Sequence, residues 1–102
     1  MKQYDVVKNP YRRAMPNVPL LLILQHDRNA DSPRVLVSPL STLGKATRRD
    51  VALTVLGQPY VLLPLDLSAV PRDALSAAPV ANLAHESFRI QTALDIVFSA
   101  AG

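Results

Sequence analysis

Proline is the residue that most restricts this chain: nine prolines and only three glycines fall within 102 residues, and none of the prolines lies beyond Pro79. Proline fixes φ and carries no amide hydrogen, so each one marks a turn, a strand start or a sheet edge rather than a helix interior or a central strand. Between them lie short runs rich in leucine and β-branched residues. These predict strands at Gln3 to Lys8, Leu20 to His26, Arg34 to Ser38, Val51 to Leu56 and Tyr60 to Leu65. Gly57-Gln58-Pro59 is a tight connection of hairpin type, and the polar stretch from Asp27 to Pro33 joins two further antiparallel strands. Short strands at this spacing predict a small barrel or sandwich.

Two runs, Leu20-Leu21-Leu22-Ile23-Leu24 and Val61-Leu62-Leu63, do not alternate with polar residues. A strand that is apolar on both faces has to be covered on both, here by a helix or by another subunit. After Leu83 the period changes. Ile90, Ala93, Leu94, Val97, Phe98 and Ala101 recur at the three-and-four spacing of an amphipathic helix, with Arg89, Gln91, Thr92 and Asp95 opposite them. The spacing predicts a helix over 84–99, with Asn82 as its N-cap.

With 49% hydrophobic and 19% charged residues, the chain is neither disordered, collagen-like nor coiled-coil. A chain of this size reads as one domain, residues 1–102, burying roughly 65% of its unfolded surface. So few charges leave apolar surface that calls for a partner, which predicts a homodimer. The absence of cysteine excludes disulfides, thiolate zinc sites and cysteine nucleophiles. A net charge of +3 is too small to require nucleic acid and favours an acidic partner. Lys2, Lys8, Arg12 and Arg13 precede the apolar stretch from Val18 to Leu24, but Asp5, Pro16 and Pro19 break the signal-peptide pattern and no cleavage site follows. No apolar run approaches the roughly 20 residues that span a bilayer, so the expected location is the cytoplasm, without membrane contact.

The residues offer no catalytic centre, metal site or cofactor site. Three glycines cannot build a phosphate-cradling loop, no Gly-x-Ser-x-Gly elbow occurs, and His26 and His85 stand alone. Arg72-Asp73 could supply the cation and base of an RNA-cleaving site only if a turn brought the two side chains together. The basic residues form two groups, Arg12-Arg13 and Lys45 with Arg48-Arg49, which are either solvated loops or landing sites for an acidic segment or phosphate backbone. The five aromatics, Tyr4, Tyr11, Tyr60, Phe88 and Phe98, form no base-stacking pattern.

The stretch from Val51 to Phe98 resembles the CcdB family of bacterial toxins. The resemblance is carried by the hairpin strand leading to Gly57, by Leu65-Asp66-Leu67-Ser68-Ala69-Val70-Pro71, by Val80-Ala81-Asn82-Leu83-Ala84-His85 and by Ala93-Leu94-Asp95-Ile96-Val97-Phe98. Upstream, Val35-Leu36-Val37-Ser38-Pro39-Leu40 is similar to the family's apolar segment ending in Pro-Leu. The resemblance implies a mainly β (α+β) fold: a small SH3-like antiparallel barrel with a minor sheet and one C-terminal helix, assembled as a homodimer. It implies no enzyme and no cofactor. The implied partners are the DNA gyrase A subunit or another topoisomerase, trapped on cleaved DNA, a CcdA-like antitoxin, and operator DNA only together with that antitoxin.

By the same resemblance, Phe98 belongs to the gyrase-binding tip. Ser99, Ala100, Ala101 and Gly102 depart from it, because the family ends in Trp-Gly-Ile there. Losing a buried aromatic anchor costs about 2–4 kcal/mol. Arg12, Arg13, Arg48 and Arg49 are the expected steering charges for the antitoxin. The alternatives are a MazF-like ribonuclease on the same barrel and a CcdB paralogue that no longer poisons gyrase.

Overall fold

The computed structural model of the chain describes residues 1–29, 31–43, 50–75 and 78–101. Its strands are β1 (Asp5–Lys8), β2 (Leu20–Ile23), β3 (Arg34–Ser41), β4 (Val51–Val55), β5 (Gln58–Leu62), β6 (Ser68–Pro71) and β7 (Ala81–Asn82), followed by one helix, α1 (Ser87–Ala101). All pair antiparallel in one curled half-barrel sheet of order β4-β5-β3-β2-β1-β7, with β6 attached to β3. The fold is therefore mainly β with one C-terminal helix, as the sequence predicts.

β3 divides the sheet. Its first half, Arg34 to Val37, pairs with β6, and its end, Leu40 and Ser41, pairs with β5. Pro39 sits where the partner changes. Its carbonyl faces outward to accept the Leu63 amide at 3.1 Å, so the amide hydrogen it lacks would also point into that gap. Ser38, fully buried, closes the same gap by donating its hydroxyl to Leu63 O at 3.0 Å. β3 therefore runs through a proline at which the sequence reading stopped.

The unalternating run in β2 is covered on both faces within one chain. Leu20, Leu22 and Leu24 join Val6, Leu40, Leu53, Leu62 and the helix residues Ile90, Ala93 and Leu94 in the larger core. Leu21 and Ile23 point the other way, into a second core with Val7, Val18, Val35, Val37, Val70 and Leu75. The second cover is thus β6 and the chain after it, where the apolar run predicts a helix or another subunit. At about 0.8 kcal/mol per buried methylene, each of these leucines contributes more than any exposed contact on the molecule.

The helix begins three residues later than expected. Ala84–Glu86 is a 3-10 turn, and Asn82 caps that turn rather than the helix, its Oδ1 accepting the Ala84 amide at 2.8 Å. The buried stripe of α1 is Ile90, Ala93, Leu94 and Val97. Phe98 does not belong to it: it is 56% exposed, one position past the buried Val97. The hairpin turn is also displaced. Leu56 and Gly57 form it, with φ of 51° and 79°, while Gln58 and Pro59 are already in β5.

Candidate functional site

Two surfaces carry the residues that the sequence singles out. The first is the end of α1. Phe98 and Ser99 are exposed on its last turns, and Ile96 is 39% exposed on the opposite flank of the buried stripe. The backbone of Ala100 and Ala101 continues the helix, whereas Gly102 lies outside the described residues. An exposed phenylalanine on a helix end is an apolar contact that the described residues leave more than half uncovered.

The second surface is the loop from Asn9 to Pro19. Asn9 is buried and organises both ends: its Nδ2 donates to Val18 O at 2.8 Å, its Oδ1 accepts the Tyr11 amide at 2.9 Å, and its own amide donates to Pro19 O at 2.9 Å. Turn bonds from Ala14 and Met15 to Tyr11 O, and from Val18 to Met15 O, fix the segment between. Arg12 folds back to donate from Nη1 to Asn9 O at 3.1 Å, and Arg13 is exposed beside it. Of the four arginines expected to steer a partner, these two share one loop; Arg48 and Arg49, with Lys45, lie outside the described residues.

Beside this loop is a largely apolar cleft of about 190 Å³, lined among others by Tyr11, Met15, Val18, Pro39, Leu63 and Asp66. Tyr11 and Met15, 46% and 45% exposed, form its rim. The sequence reading missed the cleft. Its only linear signal is a tyrosine and a methionine in a loop that is otherwise polar and basic. The two surfaces are linked through the 3-10 turn Pro64–Asp66, which lends Asp66 to the cleft and packs against α1.

The remaining candidates are accounted for locally. Arg72-Asp73 does lie in a turn, the 3-10 turn Arg72–Ala74, but Arg72 donates from Nε to Ser32 O at 2.7 Å and so ties two loops together. The exposed His26 accepts the Arg28 amide on Nδ1 at 3.1 Å. His85 is exposed in the turn before α1. Among the described residues, no three histidine, aspartate or glutamate side chains gather as a metal site would require. None of the described helices is long and apolar enough to cross a membrane.

A curled half-barrel closed by one helix, with an exposed aromatic at the helix end and an apolar cleft beside a basic loop, defines a small barrel-like interaction protein. The chain belongs to the CcdB protein family, which it matches over residues 3–100. The family is one of toxins from toxin–antitoxin systems, of the gyrase-poisoning kind. No curated protein matches the chain.

Proposed function

We propose that this toxin contacts the A subunit of gyrase, or a related topoisomerase, through the exposed end of α1 and holds the enzyme on cleaved DNA. The observation that carries the reading is Phe98: it lies at the family's contact position and, at 56% exposure, is not spent on the chain's own core. A homodimer would present two such helix ends to a symmetric target. A CcdA-like antitoxin would restrain it in the cytoplasm, a disordered acidic segment ordering along the apolar cleft with Arg12 and Arg13 beside it. Operator DNA would be bound only by the toxin and antitoxin together.

The test pairs two incubations, one with gyrase and supercoiled DNA and one with RNA alone. The expected result is cleaved DNA held by gyrase, at raised toxin concentration because Ser99 replaces the family's tryptophan, with RNA left intact. RNA cut in the absence of gyrase would instead support the ribonuclease reading, which has Arg72 and Asp73 in one turn in its favour.

A further inference from the structure

The cleft beside the loop from Asn9 to Pro19 opens where β3 changes partner. Val37 pairs with Ser68 of β6 and Leu40 with Leu62 of β5, so on that side Ser38 and Pro39 face no strand. Leu63 ties itself to this gap through its amide and its carbonyl, and Leu21, Val37 and Pro39 form a fixed apolar floor. One wall is the loop, with Tyr11 and Met15, held in place by Asn9. The other is Leu63, Asp66 and Ser68, and the Asp66 amide donates to Leu63 O at 3.1 Å. A site built from tied segments is preformed, which lowers the ordering cost of binding.

At about 190 Å³ the cleft is small. Drug-sized ligands occupy about 300–1,000 Å³, whereas an apolar cavity of about 150 Å³ takes up benzene. The space therefore suits one ring and a tail of two or three atoms. The polar groups decide what that tail is. Asn9 is buried and its side chain is already bonded at both ends, to Val18 O and to the Tyr11 amide. The Asp66 carboxylate, the Ser68 hydroxyl and the Tyr11 hydroxyl have no partner among the described residues. Among those residues Asp66 is also the only charged one in the lining, which neither Arg12 nor Arg13 joins. A carboxylate and two hydroxyls at an apolar floor suit a positively charged donor, and the Tyr11 ring attracts the same charge. An anion would meet Asp66 with no cation in the lining to offset the repulsion.

We propose that this cleft is a binding site for a small free amine: a primary ammonium on an apolar body of one ring, the ring against Pro39 and Leu63 and the ammonium between Asp66 and Ser68. The inference goes beyond the antitoxin reading and does not depend on it. The two use opposite charges. An acidic segment would set its carboxylates against Arg12 and Arg13, outside the lining, whereas the amine faces Asp66 within it. Asp66 is exposed, so water screens the pair; the ring supplies most of the affinity, and the charge supplies the choice between ligands.

Amide NMR titration of the full chain with three probes of similar size tests this: 2-phenylethylammonium, the neutral 2-phenylethanol and the anionic phenylacetate. The amine should bind with a dissociation constant on the order of 1 mM, as suits a ligand of so few atoms, and shift the resonances of Tyr11, Met15, Leu63 and Ser68. The alcohol should bind about 3- to 10-fold more weakly, and phenylacetate more weakly still. Asp66→Asn removes no bond of the fold and should bring the amine to the level of the alcohol while leaving the alcohol unchanged. Salt at about 1 M should shrink the same preference. Equal binding of amine and alcohol by the wild type, or an amine preference that survives Asp66→Asn, overturns the cation assignment. Tightest binding by phenylacetate overturns it too and assigns the cleft to Arg12 and Arg13. If no probe shifts the cleft resonances, the site itself is overturned, and the gyrase and antitoxin readings are untouched.

Discussion

Gln91 donates from Nε2 to Tyr4 Oη at 2.9 Å, joining the second turn of the helix to the residue before β1. Tyr4 pays a conformational cost to be there, since its φ is 70°. The backbone around it explains why the conformation holds: its amide donates to Ile23 O at 2.7 Å and its carbonyl accepts the Leu83 amide at 2.8 Å. One residue thereby ties β1 to β2, to the approach of α1 and to α1 itself.

Tyr4→Phe should therefore destabilise the fold by about 0.5–1.5 kcal/mol, the usual worth of one hydroxyl hydrogen bond, while keeping the ring packed against the larger core. Gln91→Ala should cost no more than Tyr4→Phe. The double variant should be less destabilised than the two single effects added, because both remove the same bond. Denaturant unfolding of the four proteins measures this, and strict additivity would mean that the contact contributes nothing.

Leu56→Asn should make the protein more stable by about 1 kcal/mol, since asparagine adopts positive φ in this turn at little steric cost and little packing is lost from an exposed tip. In a domain of this size that corresponds to a rise of about 4–8 °C in Tm. Scanning calorimetry at a concentration where the chain is monomeric isolates the turn from any effect on association.

Asn82→Ala should cost about 2–3 kcal/mol, far more than its exposed position suggests. Its Nδ2 donates to Asp5 Oδ1 at 2.8 Å and to Gln3 O at 3.3 Å, while its Oδ1 caps the turn before α1. Asp5 is buried, and its other oxygen accepts the Lys2 amide at 2.7 Å. Without Asn82, half of a buried carboxylate loses its donor. A loss below about 0.5 kcal/mol would mean that water replaces the amide freely.

These contacts mark where the sequence was readable and where it was not. Five strands and the helix follow from local periodicity, because Val51-Ala52-Leu53-Thr54-Val55 alternates and Ile90, Ala93, Leu94 and Val97 repeat along one face. β6 and β7 do not. Ser68-Ala69-Val70-Pro71 is small and ends in proline, and only its long-range register with Arg34 to Val37 makes it a strand. The second cover of β2, expected from a helix or another subunit, is not legible for the same reason: the residues that supply it, Val70 and Leu75, come from segments with no strand signal of their own. At the candidate site, Phe98 was visible as a residue, but its exposure depends on where the helix ends its contact with the sheet. The cleft depends on Asn9, whose side-chain and backbone bonds hold one polar loop beside Val18 and Leu21.

The tail gives the last prediction. The helix buries Val97 and exposes Phe98 and Ser99, so the next aromatic in the family's pattern would project from the same exposed end. Serine offers a partner little apolar area, and at about 25 cal/mol per Å² the deficit relative to a buried tryptophan comes to several kcal/mol. The wild-type chain should accordingly bind the gyrase A subunit roughly 30- to 1000-fold more weakly than a tryptophan-bearing tip would. Replacing Ser99 with Trp and Ala101 with Ile should recover much of that range, while Phe98→Ala in the same background should abolish the gain. Calorimetric titration of the three proteins against the subunit reads the series directly. Tight binding by the unmodified chain would show that Phe98 and the rest of the surface suffice; no gain from the double substitution would mean that the end of α1 faces a different target.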